Sequence, residues 1–202
     1  MAKLNLKTRQ TYLKELGFYT GEVDGKEGSL TKKAYKELQN KYFTRKKDLD
    51  GKYGNDTDKL LRSAYNCRDL KHFKLTEFKC KCKGLCTGYP AELSRDLVLN
   101  LDKLRSHYGK SVTIRSGERC TKHNNSKEVG GSIGSKHTKG KAADIYFKPD
   151  CSTKNGRLEV VKYWTGTLNQ YHAYCNGYRV RGGKVSYPNT PKMGTSVHTE
   201  VK

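Results

Sequence analysis

A histidine and an aspartate stand seven residues apart in the segment Ser135–Asp144, on either side of a helix-breaking glycine, Gly140. The two residues are His137 and Asp144. The apolar run Ile145–Phe147 that follows predicts that Asp144 lies at the start of a buried strand, where an unpaired carboxylate would be costly. A bound divalent cation would remove that cost. The pair therefore predicts two ligands of a metal site.

The third ligand is expected near the C-terminal end of the sequence. The segment Val197–Val201 alternates apolar and polar residues, which predicts a strand with His198 and Glu200 on one face. Two histidines and one aspartate, His137, Asp144 and His198, would leave one zinc position open for water, as catalytic zinc sites require. The chemistry indicated is metal-assisted hydrolysis.

These motifs resemble those of the zinc peptidases of the D-alanyl-D-alanine carboxypeptidase and L-alanyl-D-glutamate endopeptidase family, many of which are bacteriophage endolysins. The family pattern S-x-H-x-x-G-x-A-x-D is met from Ser135 to Asp144, and the upstream S-G-x-R is met from Ser116 to Arg119. The terminal H-x-[DE] form is met at His198 and Glu200. The resemblance covers roughly residues 70 to 202.

The resemblance implies a catalytic zinc ion (Zn2+) bound by His137, Asp144 and His198, and an Arg119 that holds a peptide carbonyl or carboxylate. Ser135 either caps the turn or contacts substrate. The implied function is that of a peptidoglycan peptidase, an endolysin that hydrolyses the stem-peptide bond between L-Ala and D-Glu. A D-Ala-D-Ala carboxypeptidase and a non-catalytic protein that binds the cell wall or zinc are the alternatives.

The sequence departs from many relatives at the catalytic base. Those relatives carry Glu or Asp three residues before the final histidine, where this chain has Thr195, which cannot act as a base at neutral pH. We expect Glu200 to take the role, because the period of two in a strand puts its side chain beside that of His198, within reach of the attacking water. His172 and Glu118 are the alternatives.

The chain is strongly basic. Its 202 residues include 41 Lys and Arg against 20 Asp and Glu, a net charge of +21, which predicts a polyanionic partner. With the family resemblance, the expected partners are peptidoglycan and anionic cell-wall polymers such as teichoic acids. Nucleic acid is the weaker alternative, because the sequence contains no recognisable nucleic-acid recognition motif.

The sequence contains no apolar run long enough to span a membrane. Its first residues, Met1 to Gln10, are charged and lack the apolar stretch of a signal peptide. We therefore expect a protein that is made in the cytoplasm and acts on the bacterial cell wall after release. The family resemblance suggests that a phage lysis pore provides the release.

An internal repeat organises the N-terminal third, where Asp24–Thr31 recurs as Asp50–Thr57. Each copy combines an Asp-Gly turn with a second glycine and a residue that can cap a following helix. Apolar faces flank both copies and predict a three-helix domain over residues 1–66. This pattern resembles the peptidoglycan-binding domain attached to many wall hydrolases, and a helical hairpin without a ligand is the alternative.

Residues 67–202 are expected to form the zinc peptidase domain. Its predicted fold class is α+β, a small mainly antiparallel sheet with flanking helices. The predicted elements are a helix after Pro90, a strand over Ser111–Arg115, a helix over Leu158–Leu168 and a final hairpin of Tyr178–Val185 with Lys192–Val201.

The sequence contains seven cysteines, three of which lie close together. Cys80, Cys82 and Cys86 form a C-x-C-x3-C pattern that, with Cys120 or Cys67, predicts a second, structural zinc site, although the spacing is not that of a standard zinc knuckle. Reduced buried thiols and a redox role are the alternatives.

Overall fold

Three helices form the N-terminal part of the chain in the computed structural model, which describes residues 2–188 and 193–202. They are α1 (Leu6–Glu15), α2 (Ser29–Tyr42) and α3 (Asn55–Asn66). Their apolar faces are buried, and the three-helix arrangement predicted for this region is confirmed.

The internal repeat consists of two copies of one hydrogen-bonded turn. In the first copy, the Gln10 amide donates to Asp24 Oδ1 (2.8 Å) and accepts from the Gly25 N–H (2.8 Å). In the second copy, the Gln39 amide donates to Asp50 Oδ1 (3.0 Å) and accepts from the N–H of the following glycine (2.8 Å). Both glycines adopt a left-handed conformation, Gly25 with φ +76° and Gly51 with φ +68°. A glutamine from the preceding helix therefore fixes each turn.

The helical part and the remainder of the chain share one buried apolar cluster, which includes Leu60 and Leu61 of α3. Polar contacts reinforce this junction. The Leu93 N–H donates to Ser63 Oγ (2.8 Å), and Asn66 Nδ2 donates to the Leu93 carbonyl (2.8 Å). The two parts pack firmly together, and the domain boundary at residues 66 and 67 stays a prediction.

The apolar stripe expected after Pro90 forms α4 (Arg95–Tyr108). The helix begins five residues beyond the proline, with Ser94 as its N-cap, and ends at Gly109 in a left-handed conformation (φ +60°). Pro90 therefore precedes the helix instead of occupying its first turn. Leu97, Leu101 and Leu104 are fully buried, as the spacing predicted.

Six strands form one sheet in the described residues. In chain order they are β1 (Thr113–Ser116), β2 (Ala142–Tyr146), β3 (His172–Cys175), β4 (Tyr178–Arg181), β5 (Lys184–Ser186) and β6 (Val197–Glu200). Their spatial order is β1-β2-β6-β3-β4-β5, with antiparallel pairing throughout. The predicted α+β class is confirmed.

The predicted final hairpin is wrong. Strand β4 pairs with β5 across a Gly182–Gly183 turn in which both glycines are left-handed, whereas β6 inserts between β2 and β3. All four residues of β6 are buried, so this strand needs a partner on each side, and an edge position in a hairpin would leave its backbone groups unpaired. Lys192, the predicted start of that strand, lies outside the described residues.

Two further helices belong to this part of the chain: the short α5 (Thr121–Asn124), which contacts the turn over Lys136–Lys139, and α6 (Lys154–Lys162), which packs on the sheet. The predicted helix over 158–168 thus begins four residues earlier, and it continues as a wider π-helical turn over Tyr163–Thr167. Trp164 in this turn is fully buried and donates its indole N–H to the Glu200 carbonyl (3.2 Å). Within residues 2–188 and 193–202, every helix is too short or too polar to cross a membrane.

Candidate metal centre

The register of three neighbouring strands brings the predicted site residues to one face of the sheet. Asp144 on β2 lies opposite His198 on β6, and Glu200 on β6 lies opposite His172 on β3. Side chains two residues apart on a strand share a face. The sheet therefore places His198 and Glu200 side by side, as the sequence predicted, with a partner on each adjacent strand.

His137 reaches this face from a 3-10 turn over Lys136–Lys139. The turn closes at Gly140, which is left-handed (φ +67°) and packs so tightly that a Cβ atom there would lie 2.0 Å from the Glu92 carbonyl oxygen. His137 Nδ1 is 2.7 Å from the Gly117 carbonyl oxygen. Because a carbonyl oxygen only accepts, Nδ1 carries the proton, and Nε2 of the neutral ring presents a lone pair.

Three buried donor atoms converge at this point. His137 Nε2 is 3.3 Å from Asp144 Oδ1 and 3.3 Å from His198 Nδ1, and Asp144 Oδ1 is 2.9 Å from His198 Nδ1. A tetrahedral zinc ion with ligand bonds of about 2.0–2.1 Å separates its donor atoms by about 3.3 Å. The spacing and the identity of the donors therefore fit zinc.

The electrostatics of the cluster also favour a cation. Burial lowers the pKa of His137, so a second proton on this ring is disfavoured. Burial alone would raise the pKa of Asp144, but the neighbouring His137 and His198 outweigh it and hold the pKa well below its usual range. A lone pair of His137 thus faces an ionised carboxylate, and a metal ion between them would relieve the conflict.

Glu200 connects the cluster to a third histidine. Its Oε2 is 3.4 Å from His198 Nε2 and 3.1 Å from His172 Nδ1. Burial would raise the pKa of Glu200, but these two histidines lower it, so the side chain is an ionised acceptor. His172 Nε2, the other ring nitrogen, is buried and has no hydrogen-bond partner among the described residues.

Arg119 contacts the cluster through Asp144. Its Nη2 donates to Asp144 Oδ2, its Nε donates to Ser116 Oγ (2.8 Å), and its backbone N–H donates to the His137 carbonyl (3.1 Å). The guanidinium group thus binds Oδ2 of Asp144, the carboxylate oxygen that does not face the two histidines. Arg119 also lines the cavity above the site.

The other residues considered from the sequence differ in whether they line the cavity over the cluster. Ser135 lines the cavity with the metal cluster. Glu118 does not line it: the side chain is buried elsewhere, accepts a hydrogen bond from the Ala91 N–H (3.0 Å), and has a pKa that burial raises well above its usual range. Thr195 accepts a hydrogen bond from Arg115 Nη1 (2.9 Å) and also lies outside the lining.

A cavity of about 740 Å³ opens over the cluster. The loop Val129–Ser135 forms part of its wall and is held by the buried Asn124, whose carbonyl accepts from the Gly131 N–H (2.8 Å) and whose Nδ2 donates to the Ser132 carbonyl (3.1 Å). The Gly- and Ser-rich composition predicted a loop here. The buried anchor was not predicted.

Sequence reasoning missed three lining residues on the β3–β4 hairpin: Tyr174, Arg179 and Arg181. Tyr174 stacks on the His198 ring with centroids 4.5 Å apart, and Arg179 lies over Tyr174 (5.1 Å to the ring centroid). Tyr174 could have been found from the sequence, because it follows His172 by two residues on one strand and side chains with this spacing lie on the same face of a sheet.

The cysteine pattern also folds into a cluster. Cys80, Cys82, Cys86 and Cys120 have sulfur atoms that all lie within 4.8 Å of one another. Cys67, the alternative fourth member, is not part of this group and caps the end of α3.

Comparison with known proteins places the chain in a family. The family model described as Peptidase M15 matches residues 71–172, which is just over half of the 202-residue chain. The matched region includes Arg119, His137 and Asp144, whereas His198 and Glu200 lie beyond it. No curated protein matches the chain significantly. On the family match and the zinc-binding geometry together, this protein belongs to the Peptidase M15 family of zinc metallopeptidases.

Proposed function

We propose that the protein is a peptidoglycan peptidase of the endolysin type that hydrolyses the stem-peptide amide bond between L-Ala and D-Glu. The observation that carries the proposal is the convergence of a zinc ligand set, a hydrogen-bonded His–Glu pair and several cationic side chains on one cavity. Stem peptides carry free carboxylates, which a cationic cavity would attract.

The zinc would be held by His137 Nε2, Asp144 Oδ1 and His198 Nδ1. When bound, it supplies Lewis-acid activation of the scissile carbonyl and of the attacking water. Glu200 accepts from His198 Nε2 and so fixes the orientation of this ring. Carboxylate–histidine pairs of this kind hold metal-binding rings in the correct tautomer.

Proton transfer is assigned to the pair formed by His172 and Glu200. The Nδ1–H of His172 donates to Glu200 Oε2, which leaves Nε2 as a basic atom without another partner among the described residues. A base oriented in this way can take a proton from the attacking water and return it to the leaving amine. This assignment extends the sequence-based expectation for Glu200, which here acts through a histidine.

Arginines provide the substrate contacts. Arg119 sits beside the metal ligands and is placed to stabilise charge that develops on the scissile carbonyl oxygen. Arg179 and Arg181 line the cavity from the β3–β4 hairpin and are assigned to the carboxylates of the stem peptide. Ser135 is assigned to the substrate-binding wall on the opposite loop.

The N-terminal helical part is assigned to attachment to the wall. A second cleft, of about 530 Å³, lies on this part, and its lining has more cations, among them Arg9, Lys32, Lys36 and Lys52, than carboxylates, which are Glu27 and Asp50. Binding an anionic polymer here would raise the local concentration of the peptidase on an insoluble substrate. Because the helical part shares its core with the peptidase part, deletion of residues 1–66 would disturb the fold, so surface substitutions test the role better.

The attachment test uses Lys32→Gln combined with Lys36→Gln in the full chain. We expect weaker sedimentation with purified walls and slower lysis, while cleavage of a soluble stem peptide stays unchanged. Lys46→Gln combined with Lys47→Gln makes the same charge change outside the cleft and should behave as wild type. Equal effects of the two pairs would contradict a role of this cleft in attachment to the wall.

The scissile bond is tested by mass spectrometry of purified peptidoglycan after digestion. New amino termini on D-Glu are the expected products. Release of free D-Ala would instead assign the chain as a D-Ala-D-Ala carboxypeptidase, and a wall preparation that binds the protein but yields no new terminus would leave a wall-binding protein that does not act as a peptidase.

A further inference from the structure

We propose that Cys80, Cys82, Cys86 and Cys120 bind a second zinc ion, with a structural role. Their four sulfur atoms lie within 4.8 Å of one another, and Cys82 Sγ is 3.4 Å from Cys86 Sγ. Zinc–sulfur bonds of about 2.3 Å in a tetrahedral site separate the sulfur atoms by about 3.8 Å. The cluster is therefore close to the arrangement that a four-cysteine zinc site requires, and it leaves no ligand position for catalysis.

The backbone explains how an unusual spacing can form such a site. Between Cys82 and Cys86 the chain reverses through two successive left-handed residues, Lys83 (φ +50°) and Gly84 (φ +90°). A left-handed lysine is uncommon and costs energy that the surrounding contacts must offset. The reversal brings Cys86 back beside Cys82, and Cys120 joins the cluster from the start of α5.

Hydrogen bonds to sulfur support a thiolate cluster. The Cys120 N–H donates to Cys80 Sγ (3.3 Å), and the Gly88 N–H donates to Cys86 Sγ (3.4 Å). His123 Nδ1 lies 3.5 Å from Cys80 Sγ. Outer donors of this kind orient metal ligands and stabilise their charge.

The charges around the cluster suit a site with a net negative charge. Four thiolates and one Zn2+ ion carry a net charge of −2, and formation of the site releases the thiol protons. Lysines alternate with the first cysteines, at positions 79, 81 and 83. These cations would offset the excess negative charge.

Contacts of the cysteine segment show what a metal would hold together. The Cys86 carbonyl accepts from Thr44 Oγ1 (3.3 Å), and the Thr87 carbonyl accepts from the Thr44 N–H (3.1 Å), which ties the segment to the end of α2. Cys120 directly follows Arg119 and is the N-cap of α5. A zinc ion here would therefore link the helical part to the turn that positions Arg119.

The first test measures metal content in the full-length protein purified under reducing conditions. We expect about two zinc ions per wild-type chain by mass spectrometry of the metal, as two sets of ligands imply. Asp144→Asn should lose the ion at the histidine site and keep the other. Cys86→Ala should lose the cysteine-bound ion and keep the histidine-bound one. Cys67→Ala, a buried cysteine outside the cluster, should keep both and is the matched control.

The second test separates this proposal from the peptidase proposal. Cobalt is added to metal-free Asp144→Asn protein, in which the histidine site is disabled, and a strong sulfur-to-cobalt charge-transfer band is expected. The band should disappear in the Asp144→Asn, Cys86→Ala double variant and persist in Asp144→Asn, Cys67→Ala. Absence of the band in Asp144→Asn would overturn the cysteine site whatever the outcome for peptidase activity.

A third measurement needs no substitution. Under native conditions, thiols of wild-type protein are labelled with an alkylating agent with and without a strong chelator. We expect the four cluster cysteines to become reactive only with the chelator. Equal labelling in both conditions, or a Cys82–Cys86 disulfide in protein that lacks the second zinc, would contradict the proposal.

Discussion

Asp144 and His198 lie directly opposite each other on β2 and β6, with Asp144 Oδ1 2.9 Å from His198 Nδ1. Both residues belong to paired backbone segments, so the geometry of this contact is set by the sheet register. His137 then approaches from a turn outside the sheet. The candidate metal site therefore depends on one strand pairing and one turn, so substitutions can test its three residues one at a time.

Asp144→Asn should remove the catalytic metal without unfolding the protein. The amide keeps the shape of the side chain but loses the charge that a zinc ion and Arg119 both require. We expect loss of one zinc ion and a fall in cleavage of at least about 100-fold, by the scale of damage to metal sites. Metal analysis and a peptide assay measure the two effects.

The matched control for this change is Asp150→Asn. Asp150 forms an ion pair with Lys110 (3.0 Å) that is remote from the cavity, so the variant should keep its zinc and its activity. Full zinc content and activity in Asp144→Asn would remove this residue from the site.

Glu200→Gln should retain the zinc and lose most of the activity. Its amide oxygen can still accept from His198, but the ionised partner of His172 is gone. We expect kcat to fall by about 10²–10⁴ with little change in KM, the usual range for removal of general-base catalysis. Steady-state kinetics and metal analysis check the two parts of the prediction.

His172→Ala distinguishes the proposed pair from a single base. If His172 and Glu200 act as a unit, either substitution should lower kcat by a similar factor, and the double variant should be little worse than each single variant. An active His172→Ala enzyme beside an inactive Glu200→Gln enzyme would assign the base to Glu200 alone.

Arg181→Gln should weaken substrate binding and leave the chemical step intact. Arg181 is exposed on the cavity wall, away from the metal ligands, so its contribution is expected in KM. We expect KM to rise by about tenfold for a peptide with free carboxylates, the scale of one charge-assisted contact. Lys184→Gln, an exposed residue of β5 outside the cavity lining, is the control, and an equal rise in KM for both variants would contradict the assignment.

The candidate metal ligands could be picked out from the sequence because their signals are local. His137 and Asp144 stand seven residues apart on either side of Gly140, and His198 with Glu200 shows the two-residue period of a strand. The place of β6 in the middle of the sheet could not be predicted, because strand pairing depends on contacts between distant parts of the chain. The last strand was therefore predicted to pair with its neighbour in the sequence, whereas in the structure it lies between β2 and β3.

The same limit applies to side chains that meet across the fold. The seven cysteines left Cys67 and Cys120 equally open as a fourth ligand, since only the folded chain shows which one approaches Cys80. The His172–Glu200 contact likewise arises from the β3–β6 register, which no local pattern records.

Asp58 should make the stability of the protein depend on acid pH. Its carboxylate accepts hydrogen bonds from the Leu4 N–H (2.9 Å), the Tyr53 hydroxyl (2.6 Å) and Arg62 Nε (2.8 Å). Burial would raise the pKa of Asp58, but these donors lower it below the ordinary 3.8. The resulting stabilisation is present above the unfolded-state pKa and is lost as the pH falls through the lower folded-state pKa.

Asp58→Asn tests this pH dependence. We expect the variant to lose about 1–3 kcal/mol of unfolding free energy near neutral pH, as for a buried acceptor with several donors, and the difference from wild type to shrink below about pH 4. Chemical denaturation across this range measures it. Asp56→Asn, a half-buried neighbour on α3 whose carboxylate contacts only Lys59 among the ion pairs of the described residues, should show little difference, and a pH-independent loss in Asp58→Asn would contradict the ionic origin of the effect.

The decisive experiment follows the formation of new amino termini on purified peptidoglycan with wild-type, chelator-treated and zinc-restored protein beside Asp144→Asn. We expect new termini on D-Glu with wild-type protein, their loss on chelation, their return with zinc, and no return in Asp144→Asn. Equal product from wild-type and Asp144→Asn, or product that is insensitive to chelation, would contradict it.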